Sequence, residues 1–551
     1  MKEPTRILCL GGGYVATRLV RSLRSSIKKG MVEVTIVDRN NYHTFHGLIA
    51  ETLTGHIQPF NITSPARRLF AGATLHQAEI QSIDTANQTV TTRRALDGRE
   101  YVLPYDHLVV SLGSVDDLSR YSGVAEHTFR LRAYWDCFRL RSHILTMLDL
   151  AEIEAEESER RRLLTFVVAG GNYAGVEVAT ELVDYFRVLT RKEYARIDHA
   201  EVRVILVHNG QHILPELRER FPGLVTYAER FVEQSGLELH LGTRVESATP
   251  EEVIFSNGER IATRTIISCT GTAQSPLLDQ LDCERDDSGR LITDPYLRVP
   301  GHDNIWAGGD CAAVPHPRGG FCPPLATFAM NAGTQIGKNL RLLSLSQPPK
   351  PYRFDGLGDA CSLGSRRAVG QLKDKIQFRG FVAWLIWRAF MLIYLPTWDR
   401  RVRTLLDWCV APFLGRDIVA VRPDQTLGIE ESLYEPGQTI VHQGEAGDSM
   451  YIIQQGEVEV LQHKNGVEEV IGTLSEGKHF GEMAVFHQRR RTASVRAKGR
   501  VRVLKIKQRA AEVLTGSVRA LSTVREQPEL ESDSIPQKVV HTPRGQRHVE
   551  P

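Results

Sequence analysis

Residues 6–16 read RILCLGGGYVA, an apolar run that breaks on three glycines and then resumes in helix-forming residues. The order predicts a buried strand, a tight turn and an amphipathic helix running on through ATRLVRSLRSS. A second strand, VEVTIVD, then ends in Asp38. Each small residue has a task in such a unit. Gly11 permits the turn, Gly13 lets the backbone approach a diphosphate, and Ala16 lets helix and strand pack closely. The diphosphate meets the positive end of the helix dipole. Asp38 can accept hydrogen bonds from a ribose. The stretch therefore predicts an α/β fold with a parallel sheet and a bound dinucleotide.

Further along, the pattern recurs. The strand LLTFVVA runs into Gly170-Gly171-Asn172-Tyr173-Ala174-Gly175, a helix comes next, and the strand VRVILVH ends in His208. Two such units imply two dinucleotides, one retained and one exchanging. Gly170 and Gly175 take the outer glycine roles. Asn172 stands at the middle one, so its side chain must be kept clear of the diphosphate, and its tolerance of left-handed backbone eases the departure. His208 replaces the carboxylate that would select an unphosphorylated ribose. NADH and NADPH therefore both stay open, since a protonated imidazole tolerates a 2′-phosphate. No arginine adjoins His208 in the sequence; Asn209 and Gly210 come after it.

At 551 residues the chain can hold several cores, and its 42% hydrophobic and 24% charged residues are ordinary for a globular protein. A net charge of +2 argues against nucleic acid as a partner. The 8 cysteines form no C-x-x-C pair, which excludes a zinc ribbon or dithiol centre and fits a reducing compartment. No metal site is expected. The N-terminus shows no secretory leader pattern, so export is not expected.

The two fingerprints, together with the segments C-terminal to them, resemble a type II NADH dehydrogenase, a single-chain NADH:quinone oxidoreductase, over roughly residues 5–420. NNYHTFHGLIAETLTGHIQP is similar to the family segment that wraps the flavin. Tyr105 to Ser114, containing Gly113, resembles the strand and turn of two-dinucleotide flavoproteins, and Cys269-Thr270-Gly271 their second return strand. Ile305-Trp306-Ala307-Gly308-Gly309-Asp310-Cys311 resembles the terminal flavin motif. The resemblance implies FAD as prosthetic group, with Asp310 on its ribityl chain, and NADH as substrate. An ordinary helix cap is the alternative role for Asp310. Glu177 resembles the family's glutamate between nicotinamide and flavin; a first-turn acid serving the helix dipole is its alternative. Where the family carries Ala-Gln-x-Ala-x-Gln at its quinone site, this chain has Ala326-Thr327-Phe328-Ala329-Met330-Asn331. The implied quinone contacts are Ala326, Thr327, Ala329 and Asn331.

Residues 380–395, GFVAWLIWRAFMLIYL, are the most apolar run, interrupted by Arg388 and too short to span a bilayer. With Trp384, Trp387, Trp398, Trp408, Arg400, Arg401 and Arg403, they suit helices lying in a membrane interface. A buried core or dimer helix is the alternative. The resemblance implies peripheral attachment at the cytoplasmic face of the cell membrane, no proton pumping, and a homodimer.

From about residue 428, short strands separated by Gly-Asp and Gln-Gly turns predict a β-barrel or jelly roll. The segment resembles cyclic-nucleotide-binding domains. Its cassette places Gly481 and Glu482 toward a ribose, and Arg491 and Thr492 toward a cyclic phosphate, cAMP or cGMP. A ligand-free docking module is the alternative. The expected organisation is an FAD/NAD(P)-binding part at 1–350 with its NAD-binding insertion at about 160–290. A membrane-associating segment occupies 351–420, then a cyclic-nucleotide module 421–515 and a disordered tail 516–551. The expected function is FAD-dependent oxidation of NADH by a membrane quinone, regulated by a cyclic nucleotide. The rivals are a nucleotide-sensing flavoprotein without turnover, and a sulfide:quinone oxidoreductase-like enzyme using Cys311 and Cys322.

Overall fold

The glycine break after Leu10 folds as its pattern requires, and the same motif builds both halves of the first unit. The computed structural model describes residues 3–116, 124–249, 251–420, 429–445, 447, 449–464, 467–487, 490–507 and 510. The expected tail at 516–551 lies outside the described residues. Two units separate along the chain, Met1–Arg422 and Pro423–Pro551.

In chain order, β1 (Thr5–Leu10), α1 (Tyr14–Lys28), β2 (Val32–Asp38), β3 (Thr74–Gln77) and β4 (His107–Val110) start the first layer. The second is built from β5 (Phe129–Arg130), β6 (Thr165–Ala169), α2 (Tyr173–Lys192), β7 (Arg203–His208), β8 (Leu237–Leu241) and β9 (Thr265–Ser268). The chain then returns to the first layer with β10 (Ile305–Ala307) and α3 (Ala326–Ser344). The first sheet has the order β10-β4-β1-β2-β3 and the second β5-β9-β6-β7-β8, all pairs parallel. Each order reverses beside its first strand, which leaves a crevice at the carboxyl ends of the strands. β6 is buried throughout and β1 from Ile7 to Leu10, as a sheet covered on both faces demands.

α3 closes on α1 because Gly333 and Gly337 lie at the contact. A Cβ at Gly333 would sit 2.2 Å from the Val15 carbonyl oxygen. A three-stranded meander, β11 (Gly358–Ser362), β12 (Ala368–Leu372) and β13 (Ile376–Arg379), leads to α4 (Gly380–Tyr394) and α5 (Trp398–Leu414). Among the described residues no helix is long and apolar enough to cross a membrane. In the second unit, two four-stranded antiparallel sheets accompany the short helix α6 (Glu482–His487).

Two expectations about the apolar run change. Trp387 and Trp408 are buried at 2% and 9% exposure and are core residues, while Trp398 is exposed at 76%. Arg388 does not interrupt a lipid-facing surface. It turns inward, between the rings of Trp384 at 4.1 Å and Trp408 at 4.4 Å. The outer face of the pair still exposes Phe381, Val382, Leu385, Leu405, Leu406 and Phe413.

Candidate functional site

At the end of β1 the backbone itself makes the cradle. Gly11 has φ +97°, and a Cβ there would lie 2.4 Å from the Ser111 carbonyl oxygen. The Gly12 N–H donates to Asp38 Oδ2 at 2.7 Å, and Asp38 Oδ1 accepts from the Asn40 N–H at 2.7 Å. Asp38 is thus fixed at the strand end before any ribose arrives. A Cβ on Gly13, which caps α1, would meet nothing within 4 Å, and neither would one on Gly113 at φ +67°. Ala16 is buried. Backbone held clear of the helix N-terminus, with a carboxylate beside it, fits the diphosphate and ribose of a dinucleotide.

Across the same crevice Gly309, at φ +82°, approaches Val15 and Ala329. Asp310 is next in the chain and lines a small cavity with Gly309, Cys322, Leu325 and Ala329. Burial pushes its carboxyl up, against the pull of the Arg132 guanidinium and a Ser114 hydrogen bond. Arg132 also donates from Nη1 to the Ser114 carbonyl oxygen. Asp310 caps no helix, since the residue before α3 is Leu325. Arg132 lies in a different segment from any fingerprint, so only the fold joins it to Asp310.

The second cradle is locked differently. A Cβ on Gly170, at φ +116°, would lie 2.5 Å from Thr270, and one on Gly175 only 1.7 Å from the Gly170 carbonyl oxygen. Asn172 has extended backbone, with φ −75° and ψ 180°. Its side chain folds back onto the motif, accepting from the Gly175 N–H at 2.9 Å and donating to the Cys269 carbonyl at 2.9 Å. The extra atoms cap α2 and leave the diphosphate path clear. Gly271, at φ +76°, turns the chain beyond β9. The His208 ring lies over Gly171, where a Cβ would come within 2.7 Å of the ring. Burial lowers the His208 imidazole, with Glu216 pulling the other way.

Glu177 lies past the first turn of α2, which contains no acid, so the dipole-capping alternative lapses. It keeps partial accessibility and accepts from the Ser362 N–H at 3.0 Å. Burial nevertheless pushes its carboxyl up to about 8, with Glu181 and Glu51 adding to the shift. One helical turn on, Glu181 Oε2 lies 3.3 Å from both Thr54 Oγ1 and His56 Nδ1. Glu51, 2% exposed, pairs with Arg388 at 3.0 Å and accepts from the Trp408 indole N–H. Glu51 and the acids of α2 thus meet beneath α4 and α5. The sequence offered no signal for this network beyond an arginine in an apolar run.

On α3, Ala326 and Thr327 are partly exposed in the first turn, and Ala329 lies in the Asp310 cavity. The Asn331 amide is turned back onto the Thr327 carbonyl at 2.9 Å. Arg18, donating to Met330 Sδ at 3.5 Å, is felt electrostatically by Tyr394 of α4, which links α3 to the amphipathic pair. Burial pushes the Cys311 thiol up to about 11 and the Cys322 thiol to about 12, which leaves neither a ready nucleophile.

In the second unit Gly481 has φ +82°, and a Cβ would strike Arg491 at 2.4 Å. Arg491 is buried, its Nη1 donating to the Gly481 carbonyl at 2.8 Å and its Nη2 to that of Ser449 at 2.7 Å. The fork is therefore aimed before any ligand binds. Glu482 Oε2 is buried with no hydrogen-bond partner among the described residues, which suits it to receive a hydroxyl donor. Thr492 is exposed.

Comparison with known proteins agrees with this geometry. Residues 431–516 match the cyclic nucleotide-binding domain. A probable NADH dehydrogenase of Dictyostelium discoideum is 28% identical over 423 residues, 76% of this chain and 91% of its own. The type II NADH:quinone oxidoreductase NdhA of Mycobacterium tuberculosis is also 28% identical over 423 residues, covering 75% and 87%. The solved structure of NDH2 from Plasmodium falciparum in complex with NADH superposes with a TM-score of 0.70 at 16% identity. It covers 75% of this chain and 99% of that one. Residues 5–333 match the pyridine nucleotide-disulphide oxidoreductases over both cradles, and the chain belongs to that family.

Proposed function

We propose that this protein is an FAD-dependent NADH dehydrogenase of type II that delivers electrons to a membrane quinone without pumping protons. The observation that carries the reading is the pair of dinucleotide cradles in one chain, with Glu177 of the second close enough to Glu51, beyond the first, for its titration to feel that charge. When bound, the flavin supplies the hydride-accepting chemistry. The Gly11–Gly13 turn, Asp38 and Asp310 would hold it. The second cradle would hold the nicotinamide dinucleotide, with Glu177 of α2 as the carboxyl available to its reacting end. With its carboxyl pushed up to about 8, Glu177 carries a proton at neutral pH and can donate a hydrogen bond in the crevice. The buried Glu51–Arg388 pair fixes α4 against this region.

Quinone access falls to the first turn of α3, through Ala326, Thr327, Ala329 and Asn331. The exposed apolar face of α4 and α5 is suited to rest in the headgroup region at the cytoplasmic face of the membrane. Cyclic-nucleotide regulation rests on Glu482 and Arg491, whose unmet acceptor and aimed fork suit a ribose and a cyclic phosphate. The first test is anaerobic titration of the flavin absorbance with NADH, then addition of quinone. Bleaching by NADH and recovery with quinone support the reading. A flavin that no nicotinamide dinucleotide bleaches would sink it and favour a sensor. Arg491→Ala should remove any effect of cyclic nucleotide on the rate.

A further inference from the structure

The end of β7 carries an imidazole where an acid would select against phosphate, and a cation from a different loop shares its pocket. A cavity of about 120 Å³ is lined by Gly170, His208 and Asn209, by Arg244 beyond β8, and by Ser268 and Thr270 at the end of β9. The fold makes this meeting. β7 and β8 are parallel neighbours, so their carboxyl ends emerge side by side. The Gly242 N–H donates to the Gly210 carbonyl at 2.9 Å and the Thr243 N–H to that of His208 at 3.1 Å, tying one loop to the other.

Arg244 is held by its backbone, whose N–H donates to Ser256 Oγ at 3.2 Å and whose carbonyl accepts from the Ser256 N–H at 2.9 Å. Its guanidinium is exposed and makes no ion pair or side-chain hydrogen bond among the described residues. The carboxylate whose field reaches His208 is the exposed Glu216. In dinucleotide folds the adenosine ribose lies at the end of this strand, where an acid binds the free 2′-hydroxyl and a nearby arginine accommodates a 2′-phosphate.

We propose that the second cradle accepts NADPH as well as NADH, with Arg244 pairing the 2′-phosphate and His208 bounding the ribose without the repulsion of a carboxylate. This rests on reading the second cradle as a nicotinamide dinucleotide site and names which dinucleotides enter it. Guanidinium and phosphate make charge-assisted hydrogen bonds, which an exposed, unengaged arginine forms without breaking an existing pair.

The test is calorimetric titration of the full-length, flavin-loaded protein with NADP⁺ and with NAD⁺. NADP⁺ should bind at least as tightly as NAD⁺. Arg244→Ala should shift the affinity ratio about 10- to 100-fold toward NAD⁺. Added salt should weaken NADP⁺ more than NAD⁺. His208→Glu should move the ratio the same way as Arg244→Ala. Binding of NAD⁺ with none of NADP⁺, or a ratio that Arg244→Ala leaves unmoved, overturns the proposal while the dinucleotide site stands. Binding of neither overturns the site itself along with it.

Discussion

The two cradles share a strand order and a glycine turn but are closed by different chemistry. In the first, a carboxylate at the strand end accepts a glycine N–H, and the middle glycine leaves open space. In the second, an asparagine fills the middle position, caps the helix, and ties the turn to the neighbouring strand, while an imidazole covers the turn. Topology fixes where the diphosphate can lie. The residue at the strand end decides which ribose is welcome beside it. A cradle can therefore lose its middle glycine and its acid and remain a cradle, provided a side chain of the right length turns away.

The sharpest way to break the comparison is Gly175→Ala. Its Cβ would fall 1.7 Å from a carbonyl that cannot move without opening the turn, whereas the first cradle already holds alanine at this place in Ala16. Thermal unfolding should show a loss of about 3 kcal/mol or more. The protein should keep flavin more readily than it keeps NADH reduction. Wild-type stability for this variant would show that the two turns are alike in tolerating a methyl group at this place.

Asp38→Ala removes the acceptor of two backbone N–H groups as well as the ribose partner. Each charge-assisted hydrogen bond contributes about 1.5–3 kcal/mol. Purified protein should lose most of its flavin absorbance on gel filtration, while NAD⁺ binding at the second cradle persists.

Glu177 supplies a pH test of the second cradle. Its carboxyl titrates at about 8 in the folded chain against 4.5 for the unperturbed group, so between these values the folded state holds a proton that the unfolded chain has released. Stability must then fall as pH rises through this window and level off above it. Glu177→Gln lacks this ionisation, and its melting temperature relative to the parent should rise by at least about 2 °C between pH 5 and pH 9. Flat behaviour would place Glu177 in contact with bulk water. The smallest structural effect belongs to Gly13→Ala, with stability within about 1 kcal/mol because no protein atom opposes the methyl group. Its flavin affinity should nevertheless drop, since the methyl occupies the diphosphate's space.

Much of this site was legible in the chain because its contacts are local. A glycine turn and the acid ending the next strand are joined by one supersecondary unit, so Gly11, Gly13, Asp38, Gly170, Gly175 and His208 all sit where their spacing put them. How the Asn172 side chain is kept clear was not legible, because the Cys269 carbonyl that holds it belongs to a segment 97 residues away. Trp387 and Trp408 turned out to be core residues because an aromatic residue serves a membrane interface and a core equally well, and only the acid at Glu51 shows which way Arg388 must turn.

By itself the sequence determined two dinucleotide-binding sheets, an amphipathic helical segment and an appended β-module, since periodicity, glycine spacing and strand-end residues encode local geometry. The tertiary structure alone decided that Arg132 reaches Asp310, that Arg244 enters the pocket of His208, and that Glu51 neutralises Arg388. Each of these brings together polar side chains from separate segments, and such long-range neighbours are set by which elements lie side by side, a fact that no window of sequence contains.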